Sequence, residues 1–341
     1  MKARILRRAD ELVAAGLVPA RRRRAVERVA RRFAVALTPH VTELIETAGE
    51  PIARQFLPTA AELRVAPEER ADPIGDDRFA PLKGIVHRYP DRVLLKPLLV
   101  CPVYCRFCFR RETVGKGGAL TARELAAALA YICRDPNIWE VIVTGGDPFL
   151  LSSRRLRQIV RGLGAIPHVQ AIRFHTRVPI VEPGRVTAAL VTALGSEKAV
   201  YVAIHANHPR ELTAATRAAC VRLTKAGIPL LGQSVLLKGI NDDAATLAAL
   251  FRGLVAMRVK PYYLHHADLA RGTAHFRTGL AAGRELMRAL RGRVSGLCQP
   301  TYVLDLPGGF GKVPVGPAYA QPLDSESWSI EDPSGIHHRY P

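Results

Sequence analysis

Between residues 93 and 305 short apolar, β-branched runs alternate with stretches of helical spacing, and little else can be built from such a pattern than a parallel α/β sheet. The strand candidates are 93–100 (VLLKPLLV), 140–144, 170–174, 199–204, 230–236 and 260–264, with a last one at 300–305 (PTYVLD). Helical patterns separate them at 121–133, 153–163, 184–194, 209–226, 243–256 and 277–291. Strand–helix alternation implies parallel strands joined by crossover helices. Six such units form either a doubly wound sheet or a partial barrel of the TIM type, and periodicity alone leaves both open. In either, chemistry collects at the carboxyl ends of the strands. The unusual residues of this chain do follow strand candidates.

Residues 1–80 read as helical segments, with apolar spacing at 22–37 and 40–56, and ADPIGDDRFAPLKG (71–84) reads as a linker. The expected organisation is a helical region and linker (1–80), a core (81–306) and a loop with an extended tail (307–341). At 341 residues and 48% hydrophobic the chain can bury a large core. It has no run of 18 apolar residues and no secretory signal, so a cytoplasmic protein without a membrane span is expected. The net charge is +19, and residues 1–35 hold eleven Lys/Arg against three Asp/Glu. That stretch is read as the solvated face of an Arg-rich helix in preference to a contact with RNA or an acidic protein. It also resembles a transit peptide, a weak sign where Arg and Ala abound throughout.

Six cysteines are present, three of them in CPVYCRFCFRR (101–111). Such clustering does not suit a disulfide framework and points to a reducing compartment and a metal site. Cys101, Cys105 and Cys108 form C-x3-C-x2-C. Three thiolates hold three irons of a [4Fe–4S] cubane and leave the fourth iron open. A closed zinc site would need a fourth ligand, and none lies nearby. Cys133, Cys220 and Cys298 are read as packing residues. VTGGDP (143–148) follows the second strand candidate, and glycines there let the backbone approach a ligand closely.

The cysteine spacing, with Phe107 before the third cysteine, resembles the radical SAM superfamily. The resemblance implies a partial (β/α)6 TIM-type barrel with an N-terminal helical extension and a short C-terminal tail. It also implies S-adenosylmethionine (SAM) on the open iron, with Gly145, Gly146 and Asp147 at its amino group. HRYPDRVL (87–94), NHPRELT (207–213), GQSVLLKGIND (232–242), PYYLHHADL (261–269), HFRT (275–278) and PGGFGKVPV (307–315) extend the match. Together they resemble the lysine 2,3-aminomutase family over about residues 85–316.

That family moves an amino group between adjacent carbons of an amino acid with pyridoxal 5′-phosphate (PLP) as a second cofactor. The resemblance implies that Lys312 is the catalytic lysine that binds PLP covalently. A Walker A loop is excluded there, because Val313 is not Ser or Thr and Leu306 replaces the first glycine. Arg88 resembles a ligand of the PLP phosphate, His205 and Gln233 resemble groups lining the cofactor pocket, and His175 and Arg177 are further pocket candidates. Arg110 resembles the arginine that takes the substrate carboxylate, for which a guanidinium fork is suited. Asp268 and Asp305 resemble the pair that receives a distal ammonium, and two neighbouring carboxylates do call for a cation between them.

Lysine is therefore the expected substrate, a small electron-transfer protein such as flavodoxin or ferredoxin the expected partner, and a homo-oligomer the expected assembly. The family's structural zinc is not expected, since Asp243 follows GIND and no cysteine follows Cys298. The short tail resembles the branch that supplies β-lysine to elongation factor P, whereas the two aspartates resemble the long members. The alternatives are the same migration on another amino acid, or radical modification of RNA or a translation factor. His265, His266, His337 and His338 form pairs without a complete metal set.

Overall fold

The computed structural model describes residues 4–341. Its main sheet opens with β1 (Ile85–Tyr89), which turns back antiparallel into β2 (Arg92–Leu98). β3 (Glu140–Gly145), β4 (Ala171–Thr176), β5 (Ala199–His205), β6 (Leu230–Leu236), β7 (Val259–His266) and β8 (Thr301–Asp305) follow, all parallel to β2. β9 (Lys312–Pro314) closes the sheet antiparallel to β8. The nine strands lie in sequence order. A doubly wound sheet reverses its strand order at a switch point. No reversal occurs, so the sheet is the curled partial barrel.

The crossover helices begin where the sequence supplies caps. Thr121 accepts from the Glu124 amide while Glu124 accepts from the Thr121 amide, which starts the helix Ala122–Arg134 with a capping box. Ser152, Thr213 and Asp243 cap the helices 153–164, 214–225 and 244–256 with side-chain oxygens. Side chains alternate along each strand. In β6, Leu230, Ser234 and Leu236 are buried toward the helices, whereas Leu231, Gln233 and Val235 keep partial exposure on the other face. The barrel interior is thus lined but not filled.

The N-terminal region shares the barrel's core. Leu12, Leu37, Val41, Ile52 and Phe56 belong to one apolar cluster with Phe149, Val178 and Ile180. The helix expected over 22–37 spans Arg23–Arg32, and Phe33–Leu37 then runs extended. The helix expected over 40–56 is two helices, Pro39–Leu44 and Pro51–Phe56, separated at Gly49, whose φ of +98° no helix accommodates.

Two other expectations change. β1 precedes the first expected strand, so Arg88 lies within a strand and not ahead of one. The C-terminal tail is not simply extended: β10 (Ala320–Pro322), β11 (Trp328–Glu331) and β12 (His337–Tyr340) form an antiparallel sheet. Arg288, on the helix Leu280–Leu290, donates to both oxygens of Glu331 at 2.7 and 3.0 Å and ties that sheet to the barrel.

β1 and β9 are the two edges of the open barrel, and the chain bridges them. The Tyr89 hydroxyl accepts from the Lys312 amide at 2.8 Å. The Gly308 amide donates to the Pro73 carbonyl at 3.2 Å. A Cβ on Gly75 would lie 2.8 Å from the Gly308 carbonyl carbon, so only glycine lets the 71–84 segment meet the glycine loop. The segment read as a linker is therefore part of the wall.

Candidate active site

The cysteine loop leaves the carboxyl end of β2 and is held from both sides. On one side lies the glycine pair after β3. The Gly146 amide donates to the Leu98 carbonyl at 2.7 Å and the Asp147 amide to the Val100 carbonyl at 2.9 Å. A Cβ on Gly146 would sit 2.4 Å from the Val100 oxygen, so no other residue fits against the chain entering Cys101. Asp147 is buried and internally committed. It accepts from the Thr176 hydroxyl and the Arg177 amide, both at 2.7 Å, and from the amides of Phe149 and Val178.

On the other side lies the N-terminal region. The Tyr104 amide donates to Ala36 and the Arg106 amide to Gln55. Arg106 and Arg111 both pair with Glu62, a carboxylate with no exposed surface. Phe33 and Ala34 join Cys101, Cys105 and Cys108 around a cavity of about 40 Å³.

All six cysteines are unpaired. Burial, the Asp147 charge and the neighbouring thiols push the Cys101 thiol well up, and burial with Cys105 pushes Cys108 to about 11. Three thiolates can persist together here only with cationic metal between them. A cubane needs one thiolate on each of three irons. Arg177 adds a guanidinium 2.7 Å from the Cys105 sulfur, itself held by Gln55 and Glu211 at 2.6 Å each.

Next to the cysteine loop the lumen carries a line of polar groups. His205, Gln233 and Tyr263 are register partners across β5, β6 and β7. His205 is half-buried against Phe107, with ring centroids 5.6 Å apart, and contacts Asn207 at 3.1 Å. His175 on β4 is half-buried, with its Nε2 atom buried and unpartnered. Lys312 enters at the start of β9. Its ammonium donates to Asp305 at the end of β8, lies 3.2 Å from His265 Nδ1 on β7, and sits 5.5 Å above the Tyr263 ring. Asp268, two residues past β7, is half-buried, with its Oδ1 atom buried and unpartnered. Burial, then the charge of Asp305, raises its carboxyl to about 7.

Arg110 and Arg88 share a partner that sequence reasoning missed. Asp76, in the 71–84 segment, accepts from Arg110 Nε at 2.8 Å and Arg88 Nη2 at 3.2 Å, and Lys96 lies 3.8 Å away. Arg88 also donates to the Ile74 carbonyl, while its Nε is buried without a partner. Three cations thus converge on one carboxylate with 5% exposure. Burial would raise the Asp76 pKa, but the Arg110, Lys96 and Arg88 charges outweigh it and hold it below the ordinary range. The surplus of positive charge suits an anionic ligand. The unpartnered atoms of His175, Asp268 and Arg88 suit a polar one. These features fit PLP and an amino acid.

The structure thus brings Cys101, Cys105, Cys108, Gly145, Gly146, His205, Gln233, Asp268, Asp305 and Lys312 to one end of the barrel, beside the Arg88–Asp76–Arg110 group. The radical SAM superfamily profile matches residues 95–251, and the profile described as lysine-2,3-aminomutase matches 287–329. An L-lysine 2,3-aminomutase of Acetoanaerobium sticklandii is 42% identical over 297 residues, covering 86% of this chain and 72% of the relative. The chain belongs to the lysine 2,3-aminomutase family. Another member, the L-lysine 2,3-aminomutase of Fusobacterium nucleatum, is 41% identical, with 86% and 70% covered. The glutamate 2,3-aminomutase of Clostridioides difficile is 37% identical over the same shares. The family is a radical SAM family, which accounts for the curled sheet and the cysteine loop. Among the described residues no helix is long and apolar enough to cross a membrane.

Proposed function

We propose that this chain is a lysine 2,3-aminomutase, an isomerase that interconverts L-lysine and β-lysine. The observation that carries the reading is the charge arrangement of one lumen, where the Arg110 guanidinium and the neighbouring Asp268 and Asp305 carboxylates lie within reach of one another's charge. A carboxylate, a migrating amine and a distal ammonium fit that arrangement. A substrate with a second carboxylate would meet two anions and be repelled.

Cys101, Cys105 and Cys108 would hold the [4Fe–4S] cluster, Gly145, Gly146 and Asp147 would shape the SAM site, and Lys312 would hold PLP. When bound, SAM at the reduced cluster supplies a radical that takes hydrogen from the substrate, and PLP supplies a carbon that carries the migrating nitrogen. The protein's own residues bind, orient and shield. Arg110 would take the substrate carboxylate through the nitrogens that Asp76 leaves free. Asp305 and Asp268 would take the distal ammonium, Asp305 sharing its carboxylate with the Lys312 amine. His205, Gln233 and Phe107 would exclude water between the cofactors. The chain's charge of +19 suits an acidic electron-donor protein.

The reading is tested by offering the reconstituted enzyme L-lysine, L-ornithine and L-glutamate separately and measuring β-amino products by mass spectrometry. Lysine is expected to turn over fastest, and Asp305→Asn to lose most of that preference. Faster turnover of glutamate would overturn the assignment.

A further inference from the structure

Among the described residues His265 is the one titratable group that touches both the amine of Lys312 and the carboxylate of Asp305. Its Nδ1 lies 3.2 Å from Lys312 Nζ and 3.4 Å from Asp305 Oδ2. The ring is held edge-on to Tyr263, with centroids 5.6 Å apart and planes at 78°. Period-two alternation along β7 puts residues 263 and 265 on one face, and both rings meet the Lys312 ammonium there.

The chemistry of that nitrogen is constrained. A lysine ammonium only donates, so with Lys312 charged, Nδ1 must be the acceptor and the imidazole is neutral with its proton on Nε2. In that state Nδ1 cannot donate to Asp305. If the proton crosses from Nζ to Nδ1, the same nitrogen becomes a donor facing the Asp305 carboxylate. One atom thus has a hydrogen-bond partner waiting in each protonation state. Burial and the nearby Lys312 charge hold His265 below its ordinary pKa, while Asp305 opposes them. The other groups facing this space are His175 from β4, His205 from β5, Arg110 from the cysteine loop and Asp268 after β7.

We infer that His265 is the proton acceptor that turns Lys312 into a nucleophilic amine, and that Asp305 stabilises the imidazolium so formed. The inference rests on Lys312 being the residue that bonds PLP. One proton moves from Lys312 Nζ to His265 Nδ1. The freed lone pair forms the bond to the carbonyl carbon of the cofactor, and the two remaining amine protons leave with the carbonyl oxygen as water. When a substrate amine displaces Lys312, the proton on His265 is available to return to Nζ. Lys312 would then be an ammonium beside Asp305 again, as it is in this structure. A lysine in an apolar wall would need bulk water for the same transfers.

The test uses the cluster-reconstituted protein depleted of PLP. PLP is added and the visible absorbance of its lysine adduct is followed by stopped flow from about pH 6 to 9. His265→Ala is expected to slow adduct formation about 10²-fold at neutral pH, the lower end of what a positioned acid–base group contributes. Added imidazole is expected to restore much of the rate to that variant. His265→Asn, which offers an amide where Nδ1 stood, is expected to form the adduct slowly and without the histidine limb of the pH profile. Adduct formation at the wild-type rate in either variant would overturn the inference. So would a slow His265→Ala variant that imidazole does not rescue. Lys312→Ala separates this outcome from failure of the underlying reading: if it retained the adduct signal, the assignment of Lys312 would fall and that of His265 with it.

Discussion

Replacing Glu62 by glutamine removes one charge from the most deeply buried ionic group of the fold. Glu62 has no exposed surface, and Arg106 is 1% exposed. The Glu62 carboxylate accepts from Arg106 Nε at 3.1 Å and Nη2 at 2.5 Å, from Arg111 Nη2, and from the Thr59 amide at 2.8 Å. Glutamine keeps the shape but leaves two buried guanidinium groups without a counter-charge. Breaking a buried pair in this way costs about 3–5 kcal/mol. For a chain of this length that corresponds to a fall in melting temperature of roughly 4–7 °C.

The consequence reaches the cysteine loop, because Arg106 sits between two of the cysteines and Arg111 braces the loop by donating to the Arg106 and Gly272 carbonyls. Iron bound per chain should fall along with the melting temperature. The pH dependence has a definite sign. Burial alone would raise the Glu62 pKa, but the Arg106 and Arg111 charges outweigh it and hold the carboxyl low. A depressed folded pKa gives stability that is fully present above the unfolded value of about 4.3 and is lost as pH falls through the folded one. The gap between wild type and Glu62→Gln should therefore be full at neutral pH and narrow below about pH 4. The assay is a thermal melt by circular dichroism at fixed scan rate, with iron quantified on the same samples. A variant that melts within about 1 °C of wild type and keeps its iron would refute the reasoning.

Gly146→Ala should bind little iron, because its Cβ would meet the backbone of Val100 at 2.4–2.8 Å; iron and sulfide analysis after reconstitution checks this. Arg110→Lys keeps the charge but loses the planar fork, so KM for lysine should rise at least about tenfold with a smaller effect on kcat, measured by steady-state product formation. The Asp268 carboxyl, raised to about 7, gains its charge as pH rises through neutrality. Lysine affinity should therefore increase as pH rises through about 7, and Asp268→Asn should flatten that profile in a binding titration of the PLP-loaded protein.

The parallel strands were legible because helices cover their outer faces and β3 and β4 are buried almost throughout, which leaves apolar, β-branched runs bounded by turn residues. β1 was not, because His87, Arg88 and the Pro90–Asp91 turn interrupt its apolar character. The cysteine triplet declares itself through spacing and the glycine pair through its place after a strand, whereas Lys312 was legible only through the family resemblance. Asp76 does not: it lies in a stretch whose Pro, Gly and Asp content reads as solvent-exposed, and its partners Arg88 and Arg110 are 12 and 34 residues away. Glu62 is hidden for the same reason, since a lone glutamate in a helical region is ordinarily at the surface. The role of His265 could have been suspected from β7 alone, where alternation puts it on the face of Tyr263, but its contact with Lys312 spans 47 residues.

The most direct test of the account is an anaerobic incubation of the enzyme, loaded with cluster and PLP, with SAM, a reductant and L-lysine deuterated at the β-carbon. β-Lysine is followed by chiral chromatography with mass detection, and deuterium is measured in the adenosyl methylene carbon recovered from SAM. The account predicts β-lysine together with deuterium in the adenosyl group. SAM cleavage at an intact cluster, with neither β-lysine nor transferred deuterium, would contradict it.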